Sequence, residues 1–504
     1  MKILVANRGE IAVRVMRACR EMGLTSVAVY SDCDRAALHV RYADEAHHIG
    51  PSPASESYLR IDRLLDIAKR SGAEAVHPGY GFLAENAAFA QACRDAGLVF
   101  IGPSPAVIAM MGSKTTARLA AIRAGLSVVP GVEEPFGPDA SIDAIAKAAE
   151  SIGYPVLVKA VAGGGGRGMR TVTTPDDLAA AVRAARGEAG SAFGDAAVYL
   201  ERRLERPRHV EIQLLADHHG TVVPFVEREC SIQRRHQKVV EESPSLAVTP
   251  ELRRAMASQA ASLARAVGYT NAGTIECLLD ADGRPYFLEM NARLQVEHPV
   301  TEMVTGVDLV QWQIRIARGD TLDLDPERAI APRGHAIECR IYAEDPDRQF
   351  MPSPGTIVSL RVPSGPGIRD DSGVTAGSMV PVFYDSMISK LVGWGADRPQ
   401  AIARLRRALT EYQVLGVRTT VPFFRWLLAQ PDFETGRFDT TYVDRVLAAR
   451  AQPFAPVSEG DEEIAALAAA LDAYFRISAA GTARPPAKTD GAWKRAARLE
   501  GLRS

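Results

Sequence analysis

The 504-residue sequence has almost no excess of charge of either sign: 59 Lys and Arg stand against 61 Asp and Glu, a formal net charge of −2. A protein that grips a polyanion carries a basic excess, so binding to nucleic acid or an anionic membrane surface is disfavoured. Cysteine is scarce. Cys19, Cys33, Cys93, Cys230, Cys277 and Cys339 form no CxxC pair and no metal-ligand spacing, which fits a reducing compartment and excludes a disulfide scaffold. Long apolar runs are missing too: stretches such as Ile464 to Leu471 fall far short of the ~20 residues that span a bilayer. Met1 to Ala6 is too short an apolar stretch for a signal peptide. What remains is a globular composition, 47% hydrophobic and 24% charged, expected to be cytoplasmic. At roughly 150 residues per domain the length predicts three or four domains.

Residues 1–110 alternate β-rich runs (Ile3 to Ala6, Val27 to Tyr30, Ala75 to His77, Val99 to Ile101) with helical-period segments such as Ile61 to Arg70 and Ala84 to Ala96. That pattern predicts a Rossmann-like parallel sheet. The dinucleotide fingerprint GxGxxG is absent, and Asn7-Arg8-Gly9-Glu10 follows the first strand instead, so a nicotinamide-dependent dehydrogenase loses its main support. From 111 to 330 the texture predicts a mixed α+β unit, with Thr249-Pro250 opening a helix that ends before Gly268. Residues 331–448 predict a β-rich unit of short strands, then a helix near Arg398 to Tyr412. The Ala- and Pro-rich tail, 449–504, predicts one helix near Glu462 to Phe475.

Three stretches can carry chemistry. The run Gly163 to Gly166, then Arg167-Gly168, lies between probable strands at Val156 to Lys159 and Arg170 to Val172. Without Cβ atoms such a loop can bring backbone N–H groups onto phosphate oxygens, and Lys159 adds a point charge. It lacks the GxxxxGK[ST] order, and a glycine run alone is usually just a flexible turn. Second, Gly273 to Leu279 and Pro285 to Met290 predict a hairpin. A turn centred between Ala281 and Asp282 sets Glu276 opposite Phe287 and diagonal to Glu289, both carboxylates on one face. Two such anions call for a cation, and Mg²⁺ takes one or two carboxylates with phosphate oxygens. Third, Glu289, Asn291, Arg293, Gln295 and Glu297 alternate with apolar residues, which predicts an uninterrupted extended ribbon with a polar face. An alternating strand is most often merely solvated on that face, but this set suits nucleotide, metal and a small anion together. His209, Glu211 and Gln213 alternate likewise, and Gln233, His236 and Lys238 lie in a dense polar stretch that on its own reads as surface.

Asn7 to Ala12, His77-Pro78-Gly79-Tyr80-Gly81-Phe82-Leu83-Ala84-Glu85-Asn86, Met111-Gly112-Ser113-Lys114, the glycine run, Arg234-Arg235-His236-Gln237-Lys238 and Glu289 to Pro299, taken in order, resemble biotin carboxylase, an ATP-grasp enzyme. The likeness spans residues 1 to about 448 and implies an N-terminal parallel-sheet domain (1–110), a central ATP-grasp domain (111–330) with a mobile lid at about 131–204, and a C-terminal β-rich domain (331–448). It implies carboxylation of biotin by bicarbonate and ATP through carboxyphosphate. By matching residues, Lys114, Lys159, Gly165, Gly166, Met169, Glu201, Leu204, His209, Gln233, His236 and Leu278 look like the ATP pocket, with Glu276, Glu289 and Asn291 as ligands for Mg²⁺ or Mn²⁺. Lys238, Arg293, Gln295 and the Val296 backbone resemble the bicarbonate cradle, Glu297 the general base, and Arg340 with Tyr80 the biotin end.

The sequence departs from the family pattern in having four consecutive glycines where five are usual and Ala292 where threonine is usual. No Met-Lys-Met biotinylation motif is present, so biotin is expected on a carrier protein, with a carboxyltransferase subunit on a further chain that selects the acyl-CoA or keto-acid acceptor. A helix face with Arg14, Arg17 and Glu21 resembles the family's homodimer surface, and the tail is expected to dock a partner subunit. Two other readings compete: an ATP-grasp ligase that forms an amide or carbamoyl product through an acyl phosphate, and a non-catalytic nucleotide-binding scaffold. The second predicts loss of one of Glu276, Glu289, Glu297 and Lys238, and all four are present.

Overall fold

A strand that leads into a helix can pair in parallel with the next strand only after the helix crosses back over the sheet, and this orders the first hundred residues. β1 (Lys2–Val5), β2 (Thr25–Ser31), β3 (Glu45–Gly50), β4 (Ala75–His77) and β5 (Val99–Phe100) pair in parallel in the order β3-β2-β1-β4-β5. The helix Gly9–Glu21 presents Ile11, Val15 and Cys19 to Ile3 and Val5 in a fully buried cluster. Its N-terminus is covered: a Cβ on Gly373 would lie 2.5 Å from the Glu10 N. Backbone from the C-terminal region thus occupies the position where a dinucleotide pyrophosphate would rest, consistent with the missing fingerprint. Arg14 is buried on this helix, 2.9 Å from Glu302 and 2.7 Å from Asp308, so one member of the expected dimer face is spent inside the chain.

The computed structural model describes residues 1–132, 134–160, 169–193, 196–454 and 459–481, and the chain forms two units, Met1–Arg450 and Ala451–Ser504. β6 (Val156–Ala160), β7 (Met169–Val172) and β8 (Val198–Arg202) form a small antiparallel sheet in the order β7-β6-β8. Helices Ile142–Ile152 and Leu178–Phe193 back it, with Ile145, Val156, Val158, Val182 and Leu200 in its core. The predicted phosphate loop, with Gly165 and Gly166, lies outside the described residues.

The main sheet is built from β9 (Arg208–Ala216), β10 (Val222–Pro224), β11 (Arg228–Arg234), β12 (Gln237–Ser243), β13 (Asn271–Leu279), β14 (Pro285–Asn291), β15 (His335–Tyr342) and the strands Ile368–Ser372 and Met387–Gly395. Their order is β14-β13-β9-β11-β12-β15, then Met387–Gly395, then Ile368–Ser372, with β10 on β9. The β12–β15 ladder, which pairs Glu241 with Glu338, carries one sheet across residue 330. The helix Pro250–Ala266 starts as predicted, with Thr249 Oγ1 accepting the Leu252 N–H at 3.2 Å, and Gly268 follows it at φ +62°.

Two expectations fail locally. The hairpin pairs Leu279 with Pro285 and Cys277 with Phe287, but then Glu276 with Glu289, because Leu288 is an extra residue in β14. The register is thus one residue off the expected one before the bulge, with the turn centred on Asp282, and the bulge then brings Glu289 onto Glu276, which would otherwise face Leu288. The extended ribbon also ends early. β14 stops at Asn291 because Glu85 Oε1 accepts the Ala292 N–H at 2.9 Å, and the chain turns until Glu297 caps the helix His298–Thr305.

In the second unit the described helix is Glu459–Gly481, longer than the expected Glu462 to Phe475, with Ile464, Leu467, Leu471, Tyr474 and Phe475 exposed. No helix among the described residues is long and apolar enough to cross a membrane.

Candidate active site

Antiparallel ladders set side chains of neighbouring strands abreast, and here they line up three acids. Glu211 on β9 pairs with Glu276 on β13, which pairs with Glu289 on β14. Such a row is tolerable only with cations against it. Lys238 Nζ, from β12, lies 2.6 Å from Glu211, 2.8 Å from Glu276 and 2.7 Å from Glu297. Arg228, entirely buried, donates to Glu211 at 2.5 Å, Gln213 at 2.9 Å and Gln295 at 2.6 Å. Burial lowers the readiness of Lys238 to hold its proton, but the three carboxylates reverse this and raise its pKa well above the usual amine value.

The acids are driven apart in strength. Burial would raise Glu276, yet Lys238 and His209 hold its carboxyl below the ordinary range; burial and the neighbouring Glu276 charge raise Glu289. His209 Nδ1 faces the Gln233 amide at 3.0 Å, leaving Nε2 3.0 Å from Glu276 Oε2. Asn291 Nδ2 and Gln295 Nε2 donate to Glu276 at 2.9 and 2.6 Å. Among the described residues two sets of potential metal-ligating atoms lie within 4.8 Å of one another: His209, Glu211 and Glu276, and Glu211, Cys230 and Glu297. Both Glu211 oxygens are taken, by Arg228 and Lys238, whereas the donors on Glu276 (Lys238, Asn291 and Gln295) share Oε1, so Glu276 Oε2 and the Glu289 carboxylate beside it are the oxygens that could meet a cation, with Asn291 on the same strand as Glu289. An all-oxygen set of two carboxylates and an amide fits a hard divalent ion such as Mg²⁺ or Mn²⁺.

Glu297 ends the row. Its two oxygens accept from Lys238 at 2.7 Å and from Arg340 at 2.9 Å. Burial would raise its pKa, but Lys238, Arg340 and Arg228 together hold it well below the carboxylate range. Arg340, on β15, also donates to Glu241 at 2.6 Å. Burial raises Glu241 to about 7 against the pull of Arg340. Arg293 is anchored by Glu85 at 2.7 Å and by the Asn291 amide oxygen at 2.9 Å.

At the other end, Lys159 on β6 pairs closely with Glu201 on β8, and Arg118 lies 3.4 Å from the same carboxylate. Burial lowers the Lys114 pKa, partly countered by Glu289. One cavity of about 680 Å³ takes in both ends. Lys114, Lys159, Met169, Glu201, Leu204, His209, Gln233, His236 and Leu278 line it, together with the metal-type set Glu276, Glu289 and Asn291 and the anion-side set Lys238, Arg293, Gln295, Val296, Glu297 and Arg340. His236 reaches it from a two-residue turn, Arg235-His236, with φ +50° and +66°. Tyr80 is not in that lining; its ring centroid lies 5.7 Å from the Lys390 ammonium. Sequence reasoning missed Arg228, Glu241, Arg118 and Lys390. Arg228 shares β11 with Gln233, but nothing in local spacing distinguishes a buried hub from a surface arginine.

Three family models together cover most of the chain. Residues 1–108 match "Biotin carboxylase, N-terminal domain", 113–325 "Carbamoyl-phosphate synthase L chain, ATP binding domain", and 338–445 "Biotin carboxylase C-terminal domain". A pyruvate carboxylase subunit of Methanothermobacter thermautotrophicus is 54% identical over 443 residues, 88% of this chain and 89% of that one. Biotin carboxylase of a Nostoc species is 52% identical, over 88% of this chain and 99% of that one. The biotin carboxylase domain dimer of Hydrogenobacter thermophilus 2-oxoglutarate carboxylase, solved with MgADP, ADP and bicarbonate, superposes with a TM-score of 0.84 at 46% identity, covering 90% of this chain and 99% of that one. The chain belongs to the biotin carboxylase family, ATP-dependent ligases with an ATP-grasp core.

Proposed function

We propose that this chain carboxylates biotin carried on a separate carrier protein, as the first half-reaction of a multi-subunit acyl-CoA or pyruvate carboxylase in the cytoplasm. The observation that carries the reading is the convergence of Glu276, Glu289, Lys238, Glu297 and Arg340 on one cavity. Lys114, Lys159 and Glu201 take the nucleotide. Glu276, Glu289 and Asn291 hold the divalent ion, which when bound offsets charge on the phosphate oxygens.

Bicarbonate is seated by Lys238, Arg293, Gln295 and the Val296 N–H. Glu297 removes its proton as a bicarbonate oxygen attacks the γ-phosphorus, giving carboxyphosphate and ADP. Lys238 and Arg340 keep Glu297 ionised at neutral pH, so its carboxylate is unprotonated when bicarbonate arrives, while the same two cations weaken it as a base. Carboxyphosphate breaks down to CO₂ and phosphate, the phosphate takes the ureido N–H proton, and Arg340 stabilises the enolate-like ureido oxygen in a preorganised site. Tyr80, outside the cavity lining, is assigned with Arg340 to the biotin end; its ring lies 5.7 Å from the ammonium of Lys390, the cross-strand neighbour of Arg340. Residues 1–110, 111–330 and 331–448 act as the three catalytic domains, with the lid at 131–204. The chain works as a homodimer, and the 449–504 tail docks a partner subunit.

ATP cleavage that requires bicarbonate and is accelerated by free biotin is the expected result. Cleavage driven by ammonia or an amine, indifferent to biotin, refutes the reading in favour of an amide- or carbamoyl-forming ligase.

A further inference from the structure

We propose that Lys390 and His298, neither of which lines the cavity, are positioning residues that turn two successive peptide planes so that the N–H groups of Val296 and Glu297 face bound bicarbonate. The inference rests on the assignment of bicarbonate to the 293–297 segment. Lys390 Nζ donates to the Val296 carbonyl at 2.9 Å, and His298 Nδ1 lies 2.8 Å from the Gln295 carbonyl. Both side chains are fully buried.

A trans peptide carries its C=O and N–H on opposite sides. Drawing the Gln295 and Val296 oxygens back into the protein therefore sends the N–H groups of Val296 and Glu297 the other way, toward the cavity that both residues line. Among the described residues neither N–H has a hydrogen-bond partner. Two adjacent N–H groups directed to one point form an anion-binding concavity.

The two positioning groups have fixed chemistry. A carbonyl can only accept, so His298 carries its proton on Nδ1. Burial, with Lys390, Arg14 and Arg369 nearby, keeps the ring neutral, and among the described residues its Nε2 has no hydrogen-bond partner. Lys390 is held from the far side by Glu10, 3.3 Å away on the helix Gly9–Glu21. The bicarbonate turn is thereby fastened to the N-terminal region by one buried cation.

The test is bicarbonate-dependent ATP cleavage by the full chain. Wild-type activity first establishes the underlying reading; its absence would overturn that reading rather than this one. Lys390→Met is expected to raise KM for bicarbonate about 10- to 100-fold, the range for losing a charge-assisted hydrogen bond, with KM for ATP within about twofold. Because Lys390→Met strands Glu10, the double variant Lys390→Met/Glu10→Gln is expected to regain thermal stability without regaining bicarbonate KM. At position 298, His298→Asn keeps a donor where Nδ1–H stood and is expected to hold KM within about threefold, whereas His298→Leu raises it like Lys390→Met. Recovery of bicarbonate KM in the double variant, or equal values for His298→Asn and His298→Leu, overturns the proposal.

Discussion

Replacing Glu297 with glutamine separates the acid–base role from the scaffold. In the wild-type chain one carboxylate oxygen takes Lys238 at 2.7 Å and the other takes Arg340 at 2.9 Å. The amide has one acceptor, so it retains one of these contacts and turns an N–H₂ toward the other cation. Losing one charge-assisted bond costs about 1.5–3 kcal/mol, which a domain with about 5–15 kcal/mol of stability survives. The same swap removes the proton acceptor. A lost general base costs roughly 10²- to 10⁴-fold, or about 3 to 5 kcal/mol of barrier. Lys159 and Glu201, the proposed nucleotide contacts, lie at the other end of the cavity, so KM for ATP should stay within about twofold. Steady-state ADP release with and without bicarbonate, alongside a thermal melt, gives both numbers. Because Lys238 and Arg340 depress the Glu297 pKa, the wild-type rate should show no loss from Glu297 protonation as pH falls toward 5. A Glu297→Gln enzyme that turns over bicarbonate at the wild-type rate refutes the assignment.

Arg228→Met leaves Glu211 and Gln295 without their buried partner and should lower unfolding stability by about 3–5 kcal/mol, measured by denaturant titration; a change under ~1 kcal/mol would mean the hub is dispensable. Glu289→Gln removes one acid of the facing pair, so the free Mg²⁺ needed for half-maximal ATP cleavage should rise at least about 10-fold, while stability in a chelator is unchanged or higher. An unaltered Mg²⁺ requirement contradicts the ligand assignment. Asp370 lies away from the cavity, and burial raises its carboxyl from 3.8 to about 7 against hydrogen bonds from Ser389 and Tyr412. Between those values Asp370 holds a proton in the folded state that it has lost in the unfolded one, so its own contribution to stability falls as pH rises and levels off above about 7. Asp370→Asn should therefore gain on wild type by up to about 4 kcal/mol between pH 4 and 8, and a flat difference in melting temperature across that range would contradict it.

Local chemistry was legible wherever local forces decide. Thr249-Pro250 marks a helix start from the cap hydroxyl and the fixed proline φ alone, and the helix Pro250–Ala266 begins there. The alternation of His209, Glu211 and Gln213 likewise predicts a strand, found at Arg208–Ala216. The predicted polar set converges on one cavity, but by a path the spacing does not contain. Period-two alternation specifies a face and says nothing of an inserted residue, so the Leu288 bulge that squares Glu289 onto Glu276 was invisible. The strand end at Asn291 depends on a carboxylate 207 residues away, Glu85, capturing the Ala292 N–H. The buried cations were hidden for the same reason: Lys390 meets its carbonyl across 94 residues and Arg228 meets Gln295 across 67.

The β12–β15 ladder has a further consequence. Lys238 and Arg340 sit on the adjacent strands β12 and β15, just beyond the paired stretch Val240–Ser243 with Ala336–Cys339, so both cations on the Glu297 carboxylate are supplied by one continuous sheet. On the proposed roles, the cation that seats bicarbonate and the cation beside biotin are then carried by a single sheet.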